Sequence, residues 1–306
     1  MTAIDAGQQV EVTTCQVCGS GEREQLFADP PYRVLRCSGC GLVYVSPRCH
    51  GEALAAVYGE SYWRSEKPRE KGYADYASDE RLHLKTFRRR LRLLRRFLPP
   101  GRLRVLDVGC AAGYFLRVMR DEGHDVYGVE LSAAIARHAV EHLGAARVHV
   151  GTLHSAPRDQ GAFVPGSFDV VTLWDVVEHV PDPQALLHEV RSMLAPGGVL
   201  VLETQNVASR WARLLGRRWQ HYKHEEHLYH FDPNTVRRLL EQTRFTVLHN
   251  TWTYGGKYVR LSFITERAHR LHPALSFALK PLELFRDGNL YVNFGDEMVV
   301  FARPAP

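Results

Sequence analysis

From residue 102 onward, short apolar runs alternate with stretches whose apolar residues return every three to four positions. The runs predict strands over 102–108, 125–129, 147–150, 168–174, 198–203, 245–252 and 297–302, and the 3.6-residue periodicity predicts helices over 114–122, 133–143, 183–194 and 234–242. Strands alternating with helices imply a mainly parallel sheet covered on both faces. The expectation is an α/β fold with a seven-stranded, mainly parallel sheet and helices on both faces. Gly123, Gly144 and Gly197-Gly198 fall where helix C-caps belong. Upstream the pattern differs. Leu84, Phe87, Leu91, Leu94 and Leu98 line one face of a predicted helix over 80–98, stopped by Pro99-Pro100-Gly101. Arg88, Arg89, Arg92, Arg95 and Arg96 take its other faces, which reads as a solvated surface. A shorter helix is expected to begin in 52–63, with Tyr62, Tyr73 and Tyr76 near it. Residues before 50 carry only short strand-like runs, 33–36 and 42–45.

The chain has 306 residues, 45% hydrophobic and 24% charged, which fits one large domain with a small satellite. A formal charge of +5 suits a small-molecule acceptor that carries negative charge, and the absence of a lysine-rich tail disfavours nucleic acid. The first twenty residues show no basic and apolar leader pattern, and no apolar run approaches about 18 residues, so the expected location is the cytoplasm, with no transmembrane segment. In that compartment six cysteines point to metal binding or packing rather than disulfides.

Four of them form two knuckles, Cys15-x-x-Cys18 and Cys37-x-x-Cys40, each followed by glycine. Two such knuckles can set four thiolates tetrahedrally around Zn²⁺, and full thiolate occupancy makes the expected site structural. Cys49-His50 are read as packing or surface residues. Asp29-Pro30-Pro31-Tyr32 spells a motif of nucleobase amino-methyltransferases, but it lies between the knuckles and reads as a proline-rich turn. The partition is a zinc ribbon over 1–50, a helical linker or cap over 51–100, and a catalytic domain over 101–306. An aromatic insertion over 253–295 includes Tyr254, Tyr258, Phe263, Phe277, Leu282, Leu284 and Phe285, next to Trp252. It reads as a cap over the pocket.

The segment Val105-Leu106-Asp107-Val108-Gly109-Cys110-Ala111-Ala112-Gly113 runs from a strand through a glycine-punctuated turn into a helix. Gly109 and Gly113 let backbone approach a ligand. The spacing G-x-x-x-G is not that of pyrophosphate binders, and Asp107 discourages a phosphate while suiting a cationic amino-acid end. Glu130 ends the next strand, where an acid can accept hydrogen bonds from both hydroxyls of a ribose. This stretch resembles the Rossmann-like class I S-adenosylmethionine (SAM)-dependent methyltransferases, specifically the branch with the ubiquinone-pathway O-methyltransferases. The resemblance covers about 80–306. It implies SAM as cofactor, the turn residues Asp107, Gly109, Cys110, Ala111 and Gly113 around its methionine portion, and Glu130 with Leu131 at its ribose. It places Thr152 and Leu153 against the adenine and Trp174 near the sulfonium. The knuckles and the following Leu42–Pro47 run resemble zinc-binding N-terminal domains of certain sugar and natural-product methyltransferases.

Asp175, Glu178 and His179 follow the fourth strand at positions that would share a face of a helical turn, and His221, His224, His227 and His230 recur at every third residue. In the resembled family a Glu-x-x-Glu-His group and a distal histidine can hold a divalent cation. That makes a second metal, here with Asp175 in the first position, one option for the acceptor side, and general-base use of His179 or His227 the other. The resulting expectation is an enzyme that O-methylates a hydroxyl of a small sugar-containing or natural-product-like metabolite. C-methylation of a sugar or polyketide carbon, RNA methylation and non-catalytic SAM binding are the alternatives. The acceptor and the oligomeric state are not encoded in any motif.

Overall fold

A computed structural model of the protein describes residues 9–49, 54, 56–64, 76–158, 161–261 and 288–306. The central sheet uses β6 (Arg104–Val108), β7 (Asp125–Glu130), β8 (Val148–Val150), β9 (Phe168–Trp174), β10 (Leu194–Gln205), β12 (Phe245–Thr251) and β15 (Glu297–Pro304). Their order is β12-β15-β10-β9-β6-β7-β8. All neighbours are parallel except β15, which is antiparallel to both β10 and β12. The seven-stranded Rossmann-like sheet is therefore as expected.

Side chains alternate across it as a pleat requires. Leu106, Val171, Leu173, Leu200, Leu202 and Val300 enter the core on one face. Val105, Val170, Val199, Val201, Val299 and Phe301 enter the core on the other. Helices α2 (Glu80–Leu94), α3 (Tyr114–Asp121) and α4 (Ala133–Leu143) supply residues to the second core, and α5 (Pro183–Met193) and α7 (Pro233–Gln242) to the first. A short α1 (Glu60–Trp63) precedes them, and α6 (Arg210–Leu215) follows β10. Asp232 caps α7 through a reciprocal box with Thr235, after which Pro233 opens the first turn.

Two boundaries depart from the sequence pattern. α2 ends at Leu94 rather than running to 98. β10 starts four residues early, at Leu194, because Pro196-Gly197-Gly198 is a register shift inside the strand and not a helix cap.

The N-terminal hairpin consists of β2 (Arg23–Asp29) and β3 (Tyr32–Cys37), turning at Pro30-Pro31, with β4 (Val43–Ser46) alongside. Its fourth strand comes from far downstream, β11 (Tyr229–His230), antiparallel to β4. Val17, Leu35, Leu42 and Tyr44 belong to the same core as Leu187 and Phe231, so the apolar core of the N-terminal region is continuous with residues beyond 50. β1 (Gln9–Val10) pairs with β5 (Arg48–Cys49). The 253–295 insertion is described only at its base, where β13 (Lys257–Arg260) pairs with β14 (Asn289–Val292) and packs on α2. His50, Tyr73, Phe263, Phe277, Leu282, Leu284 and Phe285 lie outside the described residues. Among the described residues, no helix is long and apolar enough to cross a membrane.

Candidate active site

The strand order reverses direction at β6, flanked by β7 and β9, and the carboxyl ends of these strands open the crevice where such sheets bind ligands. Asp107 lies one residue before the end of β6, 2% exposed, its Oδ1 accepting from the Thr172 hydroxyl at 2.6 Å. Burial pushes its pKa up to about 8, against the pull of the Thr172 bond, with the neighbouring Glu130 charge adding to the rise. Gly109 follows at φ +78°, where a Cβ would stand 2.5 Å from Val176 Cγ2. Gly113, at φ +75°, has the same need beside Ala139, 3.0 Å from the position of a Cβ. The N–H groups of Gly109 and Cys110 both reach the Val129 carbonyl, so the turn is tied to β7. Ala111 occupies the left-handed region at φ 48°.

Glu130 ends β7, buried, and accepts from the backbone N–H of Ala111 at 2.9 Å and of Ser132 at 2.7 Å. Burial raises its pKa and these bonds oppose the rise. Leu131 beside it is exposed, Leu153 is buried, and the Thr152 N–H donates to Ser155 Oγ. The Trp63 indole donates to Ser132 Oγ at 2.9 Å, bringing α1 across the end of β7. Tyr76 stacks on Tyr114, the first residue of α3, and Tyr62 packs edge-on against Trp63. The side chain of Trp174 turns toward α2, between Phe87 and Phe115, with Arg90 over its ring at 5.0 Å.

Past β9 the chain does not enter a helix. Asp175 takes φ 54°, and a turn over 177–179 follows. The consequence is that Asp175 parts from Glu178 and His179. Its Oδ2 pairs with Lys257 Nζ at 2.8 Å, and Lys257 also meets Glu297 Oε1 at 3.1 Å. Burial alone would raise the Asp175 pKa, but the ammonium holds it below the usual carboxylate range.

Glu178, His179 and His227 do converge, with one ligand atom from each lying within 4.8 Å of the others. His179 Nδ1 lies 2.8 Å from the Glu226 carbonyl and His227 Nδ1 2.8 Å from the His221 carbonyl. A carbonyl only accepts, so each Nδ1 carries the proton, shared at His179 with Tyr58 Oη at 2.9 Å, and each Nε2 keeps its lone pair. Burial lowers both histidine pKa values, His227 farther, so both rings are neutral. Glu178 is 1% exposed, and burial, reinforced by the Asp175 charge, raises its pKa well above the carboxylate range. Its Oε2 has no hydrogen-bond partner among the described residues.

The other three histidines go elsewhere. His221 faces Asp296 and Glu297, His224 meets Asp29 at 3.3 Å, and His230 is buried in β11. Sequence reading missed Lys257, Glu297 and the buried pair Arg90–Glu203, since single charges in strands and in an arginine-rich helix carry no spacing signal.

The four knuckle cysteines gather as well. Cys18 and Cys37 Sγ are 3.4 Å apart, and Cys15 and Cys40 Sγ 3.6 Å, near the roughly 3.8 Å edge of a zinc–thiolate tetrahedron. The Val17 N–H points at Cys15 Sγ.

A model of the methyltransferase-domain family matches residues 78–250, more than half of the chain. The protein therefore belongs to this family. The ubiquinone biosynthesis O-methyltransferase of Xanthomonas campestris is 38% identical over 135 residues, covering 40% of this chain and 56% of that one. Its counterpart in Xanthomonas euvesicatoria is 37% identical over 131 residues, 39% and 55% of the two chains. The chain thus spans about half the length of the curated relatives it matches. Among solved structures it is similar to the 1,6-didemethyltoxoflavin N1-methyltransferase of Burkholderia thailandensis, with 16% identity and TM-score 0.49, over 92% of this chain and 100% of that one. A SAM-dependent methyltransferase of Archaeoglobus fulgidus gives 19% identity and TM-score 0.48, over 74% and 98%.

Proposed function

We propose that the protein transfers the methyl group of SAM to a hydroxyl oxygen of a small sugar-containing or natural-product-like acceptor. The convergence of Glu178, His179 and His227 just past β9, at the crevice that Asp107 and Glu130 line, carries this reading. Asp107, Gly109, Cys110, Ala111 and Gly113 take the methionine end of SAM, Glu130 and Leu131 the ribose, Thr152 and Leu153 the adenine, and Trp174 closes the side near the sulfonium. The reaction is an in-line displacement, in which the acceptor oxygen bonds to the methyl carbon while the carbon–sulfur bond breaks. The protein supplies proximity and takes up the hydroxyl proton. The free Nε2 of His179 or His227 is placed to accept it.

A second reading gives Glu178, His179 and His227 to a divalent cation, which would lower the acceptor pKa. The unpartnered Glu178 Oε2 and the two carbonyl-fixed Nε2 atoms favour it. Cys15, Cys18, Cys37 and Cys40 are proposed to hold a structural Zn²⁺, and the partition at about 50 and 100, with a cap over 253–295, remains part of the proposal.

Methyl-labelled SAM incubated with fractionated cell extract should yield a labelled product that names the acceptor. With it, His179→Ala and His227→Ala should each lower kcat by roughly 10²–10⁴ with SAM affinity unchanged. A divalent requirement would show as loss with a chelator and recovery with Mg²⁺. Wild-type turnover in both variants would contradict the assignment.

A further inference from the structure

The ribbon reaches the acceptor-side cluster through two sets of bonds. The first is backbone. The Glu178 carbonyl accepts from the Leu228 N–H at 2.9 Å and the Tyr229 N–H at 3.3 Å, while the Leu228 carbonyl accepts from the Val45 N–H at 3.0 Å. Tyr229 and His230 then pair with Tyr44 and Val43. One short strand thus has the ribbon on one side and the Glu178 loop on the other, and His227 lies two residues before it.

The second set comes from Arg48 in β5. The residue is 7% exposed, and its guanidinium donates to Tyr229 Oη at 2.6 Å and to the Pro181 carbonyl at 3.0 Å. Tyr229 Oη in turn donates to the same carbonyl at 2.7 Å. A buried guanidinium whose bonds go to a phenol and a carbonyl is a costly way to fill space that an apolar side chain could occupy. What it achieves is geometric: Arg48 fixes the end of the 178–181 loop at Pro181 while β11 fixes the beginning at Glu178.

We propose that the ribbon is the jig of the acceptor site and that Arg48 is its positioning residue. The role follows from the reading of Glu178, His179 and His227 given above, since it is their mutual placement that the clamp sets. The cofactor turn has separate anchors, the Gly109 and Cys110 bonds to Val129. A change in the clamp should therefore register at the cluster and leave the SAM-binding turn alone.

The test compares the full-length protein with Arg48→Met, Arg48→Lys and Tyr229→Phe, using readouts that need no acceptor. In Arg48→Met, amide exchange protection at Leu228 and Tyr229 should fall roughly tenfold or more, the scale of bonds to a charged group. The Cε1–H resonances of His179 and His227 should move, and SAM affinity by calorimetry should stay at the wild-type value. Arg48→Lys, which keeps a donor, should restore part of the protection. Tyr229→Phe should reproduce the ring shifts in a milder form, and it carries the test if Arg48→Met does not fold. Unmoved amides and rings would overturn the proposal. So would protection lost equally at Gly109, Cys110 and Gly113, the pattern of a merely structural residue. A failed acceptor assignment would leave these exchange and resonance results intact, so the two failures are distinguishable.

Discussion

Asp107 shows how much one buried carboxyl can do. Its pKa of about 8, against an ordinary 3.8, means that the folded protein keeps a proton which the unfolded chain sheds above about pH 4. The sign follows directly: its stabilising share is complete below the unfolded pKa and is lost as pH rises through about 8. In the role proposed above, Asp107 meets the cationic amino-acid end of SAM, which an ionised carboxyl binds better. Cofactor binding near pH 7 should accordingly release about one proton, read from calorimetric enthalpies in buffers of different ionisation heat. Asp107→Asn should abolish the buffer dependence and remove the share of the pH dependence of stability that this carboxyl contributes between about pH 4 and 8. An enthalpy indifferent to buffer in the wild type would contradict the assignment.

At the scale of elements, α2 joins the sheet through the Arg90–Glu203 pair, bidentate and almost fully buried. Removing one partner leaves an uncompensated buried charge, so Arg90→Ala should destabilise by about 3–5 kcal/mol in urea unfolding, whereas Arg90→Met with Glu203→Leu should come close to neutral. A small loss in Arg90→Ala would mean that water reaches Glu203. The same pair marks what the sequence could and could not reveal. The leucine periodicity of α2 was legible, as were the strands, because burial imposes a repeat on apolar residues. Arg90 sits in a run of arginines with exposed neighbours such as Arg88 and Arg92, and nothing in their order singles it out. The turn with Asp107, Gly109 and Gly113 was readable, since close backbone approach demands glycine at fixed spacing. The turn after Trp174 was not. Its left-handed Asp175 separates a carboxylate from Glu178 and His179 that helical spacing would have placed together, and Lys257 reaches it from 82 residues away.

Across the whole molecule, ribbon and sheet share one apolar core, so a metal that holds the knuckles together would also keep one face of the sheet covered. Elemental analysis of protein purified without added metal should show near-stoichiometric zinc, falling sharply in Cys37→Ser. Because Leu35, Leu42 and Tyr44 cover residues beyond the ribbon, stripping the metal should raise binding of a hydrophobic dye and lower the melting temperature of the entire protein. An intact ribbon without zinc would refute the site.

The position of β15 has a consequence for biosynthesis. It follows both β10 and β12 in the chain, yet it lies between them in the sheet and hydrogen-bonds to both. While the ribosome is still translating the codons for Glu297–Pro304, the β10 edge stands open and β12 has no neighbour in the sheet. Every preceding element has been made by then, but the two halves cannot be joined. The nascent chain therefore presents an apolar, unpaired edge until β15 clears the exit tunnel, the interval in which holdase chaperones protect such edges and in which crowded polysomes would let two chains pair with each other.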